Sequence, residues 1–68
     1  MPLHDVRQPP AGFSVLYDPE TDRYFPMRRA DGDRWENMFQ AGKVVSFTRR
    51  WRAVDYCERV AHKVQDDL

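Results

Sequence analysis

The side chains that could act as nucleophiles or metal ligands are few and lie far apart in the sequence. Cys57 is the single cysteine. It falls on the apolar side of a predicted helix, which indicates a buried structural thiol, because reactive thiols lie at helix N-termini or beside cations. His4 and His62 lie too far apart in the sequence to form a metal site together, so we predict no metal site and no cofactor. We therefore expect a protein without catalytic activity and keep a small enzyme only as an alternative.

A run of alternate acidic residues has the spacing of the start of a calcium-binding loop. Asp18, Glu20 and Asp22 match its first, third and fifth positions. Arg23 stands where the glycine of the sixth position belongs, and Arg29 stands where the closing glutamate belongs. Because the sharp turn and the bidentate ligand are both missing, we predict no calcium site.

The segment Tyr17–Tyr24 reads Tyr-Asp-Pro-Glu-Thr-Asp-Arg-Tyr. It resembles one repeat of the tyrosine-rich OCRE motif, whose units have the form Tyr-Asp-Pro-x-Thr-Gly-x-Tyr. Asp22 stands where that family has glycine, and no second repeat follows in the chain. The resemblance is confined to this one segment and implies no function here.

Arginine and tryptophan are concentrated at the start of the predicted C-terminal helix, and we expect this surface to bind a partner. The predicted binding residues combine this turn with two arginines from a strand end: Arg28, Arg29, Arg49, Arg50, Trp51 and Arg52. A helical wheel directs Trp51 away from the apolar side of the helix. The helix dipole opposes cations in the first turn by roughly 0.3–1 kcal/mol each, so helix stability does not explain Arg49 and Arg50. In the alternative, Trp51 folds over Tyr24 or Trp35 and closes the rim of the core.

Two functions of different classes fit this surface. Tryptophan and arginine are enriched in the hot spots of protein interfaces, which favours a non-catalytic interaction module (an adaptor, regulator or inhibitor) that also uses an exposed sheet edge. The alternative is a nucleic-acid-binding protein, in which residues 28–52 contact phosphates and Trp51, Tyr24 or Trp35 stack on bases. The sequence pI of about 6.7 lies far below the value usual for nucleic-acid-binding domains, so we favour a protein partner.

The charges balance over the whole chain but not along it. The formal net charge is +0, which favours neither a general nucleic-acid binder nor a membrane-surface protein. Residues 28–52 nevertheless hold seven basic and three acidic side chains, a balance of +4, and the segments on either side each stand at −2. With one cysteine and no apolar run of signal-peptide or transmembrane length, we expect a cytoplasmic protein that does not bind membranes.

The chain is predicted to form one domain at residues 12–68, preceded by a flexible, proline-rich tail at residues 1–11. Alternating or β-branched patterns predict strands at 13–17, 23–29, 34–39 and 44–47. A short helix is the alternative for the third of these. Pro26 cannot donate to a ladder, so we expect the second strand to be an edge strand or to contain a bulge. Exposed strand edges would also permit a weak homodimer.

The longest periodic segment is a C-terminal helix that Thr48 is predicted to cap. At 100° per residue, its apolar side chains fall within about one third of the circumference. They are Ala53, Val54, Cys57, Val60, Ala61, Val64 and Leu68. Such small residues allow a helix to lie close to a sheet. The sequence therefore predicts a two-layer α+β fold, with three or four antiparallel strands packed by one C-terminal helix.

Overall fold

The protein has a small α+β fold in which one helix packs on an antiparallel sheet. The computed structural model describes residues 6–66, and side chains as far as residue 63. The strands and the helix follow one another as β1 (Phe13–Asp18), β2 (Arg23–Arg29), β3 (Trp35–Asn37), β4 (Phe39–Gln40), β5 (Lys43–Val44) and α1 (Arg50–Asp66). A 3₁₀ turn, Asp31–Asp33, joins β2 to β3. The predicted fold class is confirmed.

The strands form two sheets. The main sheet has the order β1-β2-β3, and β4 and β5 form a separate hairpin. Just after β5, Phe47 returns to the main sheet, where its amide and carbonyl bond Tyr24 of β2 at 2.9 and 2.7 Å. The strand predicted at 44–47 is therefore divided between a hairpin partner and a single bridge to β2.

The first hairpin follows the sequence prediction closely. Tyr17 lies opposite Tyr24, and their ring centroids are 4.8 Å apart. In the turn, the carboxylate of Asp18 accepts bonds from the amide of Glu20 at 3.0 Å and the hydroxyl of Thr21 at 3.1 Å. The Tyr17 hydroxyl donates to Asp22 at 2.7 Å, and this bond raises the pKa of the tyrosine. Asp18 thus stabilises the turn through its side chain, as expected of an aspartate at this position.

Pro26 corrects the prediction of an edge strand, because it is fully buried in β2, the central strand. Pairing with β3 runs back along β2 only as far as Met27. The residue that follows β3, Met38, would lie opposite Pro26 if the pairing continued. Its carbonyl would then face the proline nitrogen, which has no proton to donate. Its carbonyl instead accepts from the amide of Val45 at 2.8 Å. The ladder is interrupted at the proline, so a central strand tolerates it.

The segment 34–39 is extended, which confirms the strand prediction over the short helix. It is split into β3 and β4 at Met38, so Phe39 belongs to the second hairpin and not to the sheet face of Trp35. The β4–β5 turn places Ala41 at φ 53° and Gly42 at φ 77°. Two successive positive φ values are typical of the tight turns that join two-residue hairpins.

The helix begins later than predicted. α1 starts at Arg50, so Arg49 holds the cap position and Thr48 lies one residue before it. The amide of Arg52 bonds the carbonyl of Arg49 at 3.2 Å, which closes a tight first turn. The prediction of a Thr48 cap is therefore wrong by one residue. Among residues 6–66, no helix has the length and apolar character needed to cross a membrane.

The core lies between α1 and the strands β1 and β2. Ala53, Val54 and Cys57 are all 0% exposed, as their places in the predicted apolar stripe require. Phe47, the bridge partner of Tyr24, has its ring centroid 5.8 Å from that of Tyr56 on the helix. The helix therefore covers the sheet face that carries Tyr24. Val64 lies in the helix beyond the last described side chain, and Leu68 lies outside the described residues.

Cys57 is enclosed where the helix meets the sheet. Its Sγ lies 3.9 Å from the carbonyl oxygen of Ser14. Burial raises the pKa of the thiol to about 11, and the charge of Glu58 adds to the shift. A buried thiol that keeps its proton is a poor nucleophile, in agreement with the structural role predicted for this residue.

Candidate functional site

Trp51 lies on the outer face of α1 and is 45% exposed. It shares this face with Asp55 and Glu58, as the helical wheel predicts. The guanidinium of Arg52 lies 5.3 Å from the centroid of the indole ring, a cation–π contact worth about 0.5–1 kcal/mol at an exposed site. The aromatic ring of Phe47 lines the same surface. The Trp51 side chain is thus about half covered and presents the rest of its indole ring to solvent.

Next to Trp51, three arginines line one groove of about 340 Å³. We call this the Arg–Trp groove, and its walls are Arg23, Ser46, Phe47, Thr48, Arg49, Trp51 and Arg52. Arg23 comes from the start of β2, and the other two arginines come from the start of α1. The bridge between β2 and Phe47 brings these two chain segments together, because Phe47 lies three residues before the helix.

Arg23 is the fixed member of the groove. Its Nε donates to the hydroxyl of Ser46 at 2.7 Å, and a terminal nitrogen donates to the carbonyl of the same residue at 3.2 Å. Both bonds are partly buried, so the guanidinium is held in one orientation. Arg23 is not among the binding residues predicted from the sequence. The sequence shows that Arg23 stands immediately after the first turn. It does not show that Arg23 bonds Ser46, because that residue is 23 positions away.

The arginines of the Arg–Trp groove have no acidic partner among the residues that the structure describes. Within the part of the chain that the structure describes, none of Arg23, Arg49 and Arg52 forms an ion pair with a carboxylate. Like charges that line one groove repel one another, and the repulsion is relieved when an anion binds among them. The groove therefore has the electrostatics of a site for carboxylate or phosphate groups.

A longer groove of about 620 Å³ continues from Trp51 along the outer face of the helix. It shares Trp51, Phe47 and Arg52 with the first groove, and adds Asp55, Glu58, Arg59, His62 and Lys63. The basic residues fall at helix spacings of seven and four, which places them in one row. The surface is thus basic along one side and acidic along its centre.

Arg7 covers the acidic centre of this face. One of its terminal nitrogens lies 2.9 Å from Asp55 and 3.5 Å from Glu58, and the other donates to the carbonyl of Trp51 at 3.2 Å. Arg50 in turn donates to the carbonyl of Arg7 at 2.7 Å. These contacts dock residue 7 of the predicted tail on the helix. The neighbouring Val6 is 76% exposed.

The structure does not bring all the predicted binding residues together. Arg49, Trp51 and Arg52 share the groove, whereas Arg50 is turned toward the tail. Arg28 and Arg29 lie at the opposite end of β2, about 17–20 Å along the strand from Arg23. There Arg29 pairs with Asp33. The direction of β2 thus keeps Arg28 and Arg29 out of the Arg–Trp groove, and their role in partner binding stays a prediction.

The residues that the structure describes contain no group of three or more potential ligands placed to hold a metal ion. His62 is exposed on the outer face of α1, and His4 lies outside the described range. Asp18 uses its carboxylate in the first turn and is not available as an open calcium ligand.

Comparisons of the chain with protein-family models, with curated proteins and with solved structures found no match. The function must therefore be argued from the geometry of the Arg–Trp groove.

Proposed function

We propose that this protein is a non-catalytic interaction module that docks a protein partner through the Arg–Trp groove. The observation that carries the proposal is Trp51, which is 45% exposed and lines a groove with three arginines that form no ion pair with a described carboxylate. Tryptophan and arginine are the residues most enriched in interface hot spots. The single cysteine is in keeping with a cytoplasmic adaptor, regulator or inhibitor.

The indole offers a useful amount of binding energy. A tryptophan side chain presents up to about 250 Å², so the 45% that is exposed corresponds to roughly 110 Å². At about 25 cal/mol per Å², covering that area supplies about 2.5–3 kcal/mol. An anchor of this size beside the arginines of the groove, of which Arg23 is held in place by Ser46, suits a small protein interface.

Nucleic-acid binding is the alternative, and the row of basic residues beside Trp51 favours it. Two features oppose it. Asp55 and Glu58 line the same face of the helix and would repel a phosphate backbone. The net charge of zero also provides no general attraction. Binding to oligonucleotides at low salt, with a steep loss as salt rises, would establish this alternative.

Trp51→Ala and Trp35→Ala form a matched pair for testing the proposal. Trp35 is 46% exposed, nearly the same as Trp51, but it lies in β3 away from the groove. Tagged wild-type protein and both variants are incubated with cell extract, and the retained proteins are identified by mass spectrometry. We expect Trp51→Ala to lose a partner that Trp35→Ala keeps, with both variants folded by circular dichroism.

Two results would count against the proposal. If Trp51→Ala unfolds the protein, the indole belongs to the rim of the core. If both variants retain the same partners as the wild type, the groove is not the docking surface. The outer edge of β1, at the end of the β1-β2-β3 order, is a second surface to consider. Sedimentation at two concentrations tests whether it forms the predicted weak homodimer.

A further inference from the structure

We infer that the Arg–Trp groove and its continuation along α1 bind an acidic segment of the partner in extended conformation. This inference rests on the proposed function and adds the chemistry of the ligand. The basic row that defines the surface consists of Arg49, Arg52, Arg59 and Lys63, with Arg23 beside its first member.

The row has the length of a short peptide. From Arg52 to Lys63 the helix rises about 16 Å at 1.5 Å per residue. An extended chain advances about 3.3 Å per residue, so about five residues span this distance. One further residue reaches the groove at the helix start. The ligand is therefore a segment of about six residues.

The groove at the helix start is the anchor for a carboxylate. Ser46 engages two of the five N–H donors of the Arg23 guanidinium, which leaves three donors in a fixed orientation. Arg49 and Arg52, both exposed, add two more guanidinium groups to the lining of the groove. Arginine binds carboxylates through two parallel bonds, and such bonds are stronger when the donor is already held in place.

The middle of the surface selects against a uniformly charged ligand. Trp51 and Phe47 offer apolar area there, and Asp55 and Glu58 lie beside them. A nucleic acid carries a negative charge on every residue and would place some of it against these carboxylates. A peptide can place an apolar side chain at this point and acidic side chains on both sides. Arg7 contacts both carboxylates, which lowers the repulsion that any anionic ligand experiences there.

The test uses Trp51 as its own reporter. In a Trp35→Phe protein, Trp51 is the only tryptophan, and its fluorescence is followed as peptide is added. The probe is a hexapeptide with two central leucines flanked by four glutamates. The matched controls replace the glutamates by glutamines or by lysines, and oligothymidylate is the nucleic-acid control. We expect the glutamate peptide to bind at least tenfold more tightly than the glutamine peptide and the lysine peptide not to bind.

Variants of the row test the location. Arg49→Gln with Arg52→Gln is expected to weaken binding of the glutamate peptide at least tenfold. Arg59→Gln, a change at an exposed helix position, is expected to weaken it about threefold, and provides a measure that does not depend on the double variant folding. Arg34 lies outside both grooves, so Arg34→Gln should leave the affinity for the glutamate peptide within twofold of the wild-type value. Circular dichroism establishes that each variant is folded.

The results decide separately whether the ligand is an acidic peptide and whether the groove docks a protein partner. Equal binding of glutamate and glutamine peptides, no binding of either, or binding that survives the row variants would overturn the acidic ligand. Tighter binding of oligothymidylate would replace it by a nucleic acid. If the inference fails while Trp51→Ala still loses a partner from extract, the proposed function stands with a different ligand. If that loss is also absent, both fail.

Discussion

Alkaline pH should destabilise this protein through Cys57. The thiol is 0% exposed, and burial raises its pKa from 9.0 to about 11. The unfolded chain therefore loses this proton near pH 9, and the folded protein keeps it until about pH 11. The stability that arises from this difference is fully present below pH 9 and is lost as pH rises through 11.

The size of the loss follows from the two pKa values. One unit corresponds to 1.36 kcal/mol, so the limit for two units is about 2.7 kcal/mol. About 1.4 kcal/mol should be lost by pH 10 and about 2.3 kcal/mol by pH 11. A domain of this size has roughly 3–5 kcal/mol of net stability, so the effect is large enough to measure.

The assay compares urea unfolding of the wild type and Cys57→Ala at pH 8, 9, 10 and 11 with a reducing agent present. Other groups titrate in this range, but their contributions cancel when the two proteins are subtracted at each pH. Loss of the sulfur lowers the free energy of unfolding of the alanine variant by the same amount at every pH. It therefore shifts the difference between the two proteins without changing how that difference depends on pH. We expect the free energy of unfolding of the wild type, relative to the variant, to fall by about 2.3 kcal/mol from pH 8 to pH 11. A difference that stays constant within about 0.5 kcal/mol would show that the helix and sheet do not enclose the thiol, and the packing of α1 would have to be revised.

Two further substitutions test the core and the tail. Val54→Ala removes two buried carbons at a 0% exposed position; transfer plus the cavity should lower the free energy of unfolding by about 2–3 kcal/mol. The matched change Val44→Ala, at 41% exposure, should cost less than about 1 kcal/mol, and equal losses in urea unfolding would contradict the core assignment. Arg7→Ala removes the contacts to Asp55 and Glu58, which are exposed, so it should cost less than about 1 kcal/mol, and less at high salt. Because those carboxylates then act unopposed, the same variant should bind the glutamate peptide about twofold more weakly, and unchanged or tighter binding would argue against the role given to Arg7.

Local patterns were sufficient to predict the parts of the fold whose causes are local. The apolar stripe of α1 predicted the buried Ala53, Val54 and Cys57, because helical period alone decides which side chains share a face. The turn at Asp18 was predictable for a similar reason, since its carboxylate bonds residues two and three positions on. Neither feature depends on a distant part of the chain.

Pro26 shows where local reasoning fails. A proline in a ladder indicates an edge strand only if a partner strand would otherwise pair with its nitrogen. Here the carbonyl opposite is that of Met38, and its bond to Val45 belongs to a different hairpin. The position of Pro26 in the central strand therefore follows from where β3 ends, and no pattern within residues 23–29 encodes that.

The candidate site also depends on contacts between residues that are distant in the sequence. For this reason the net charge of the chain does not describe the charge of the site. The sum of zero suggests that basic and acidic residues neutralise one another, but neutralisation requires contact. In the fold, Arg7 forms ion pairs with two carboxylates of the helix, and Arg29 pairs with Asp33. It places Arg23 beside the arginines of the helix start, where the described residues provide no carboxylate partner. Since the contacts of Arg7 and Arg23 join residues 23 or more positions apart, segment sums assign the charge to the wrong places. A neutral chain can in this way present a groove lined by three arginines, and the proposed preference for acidic segments rests on the pairs that the fold makes elsewhere.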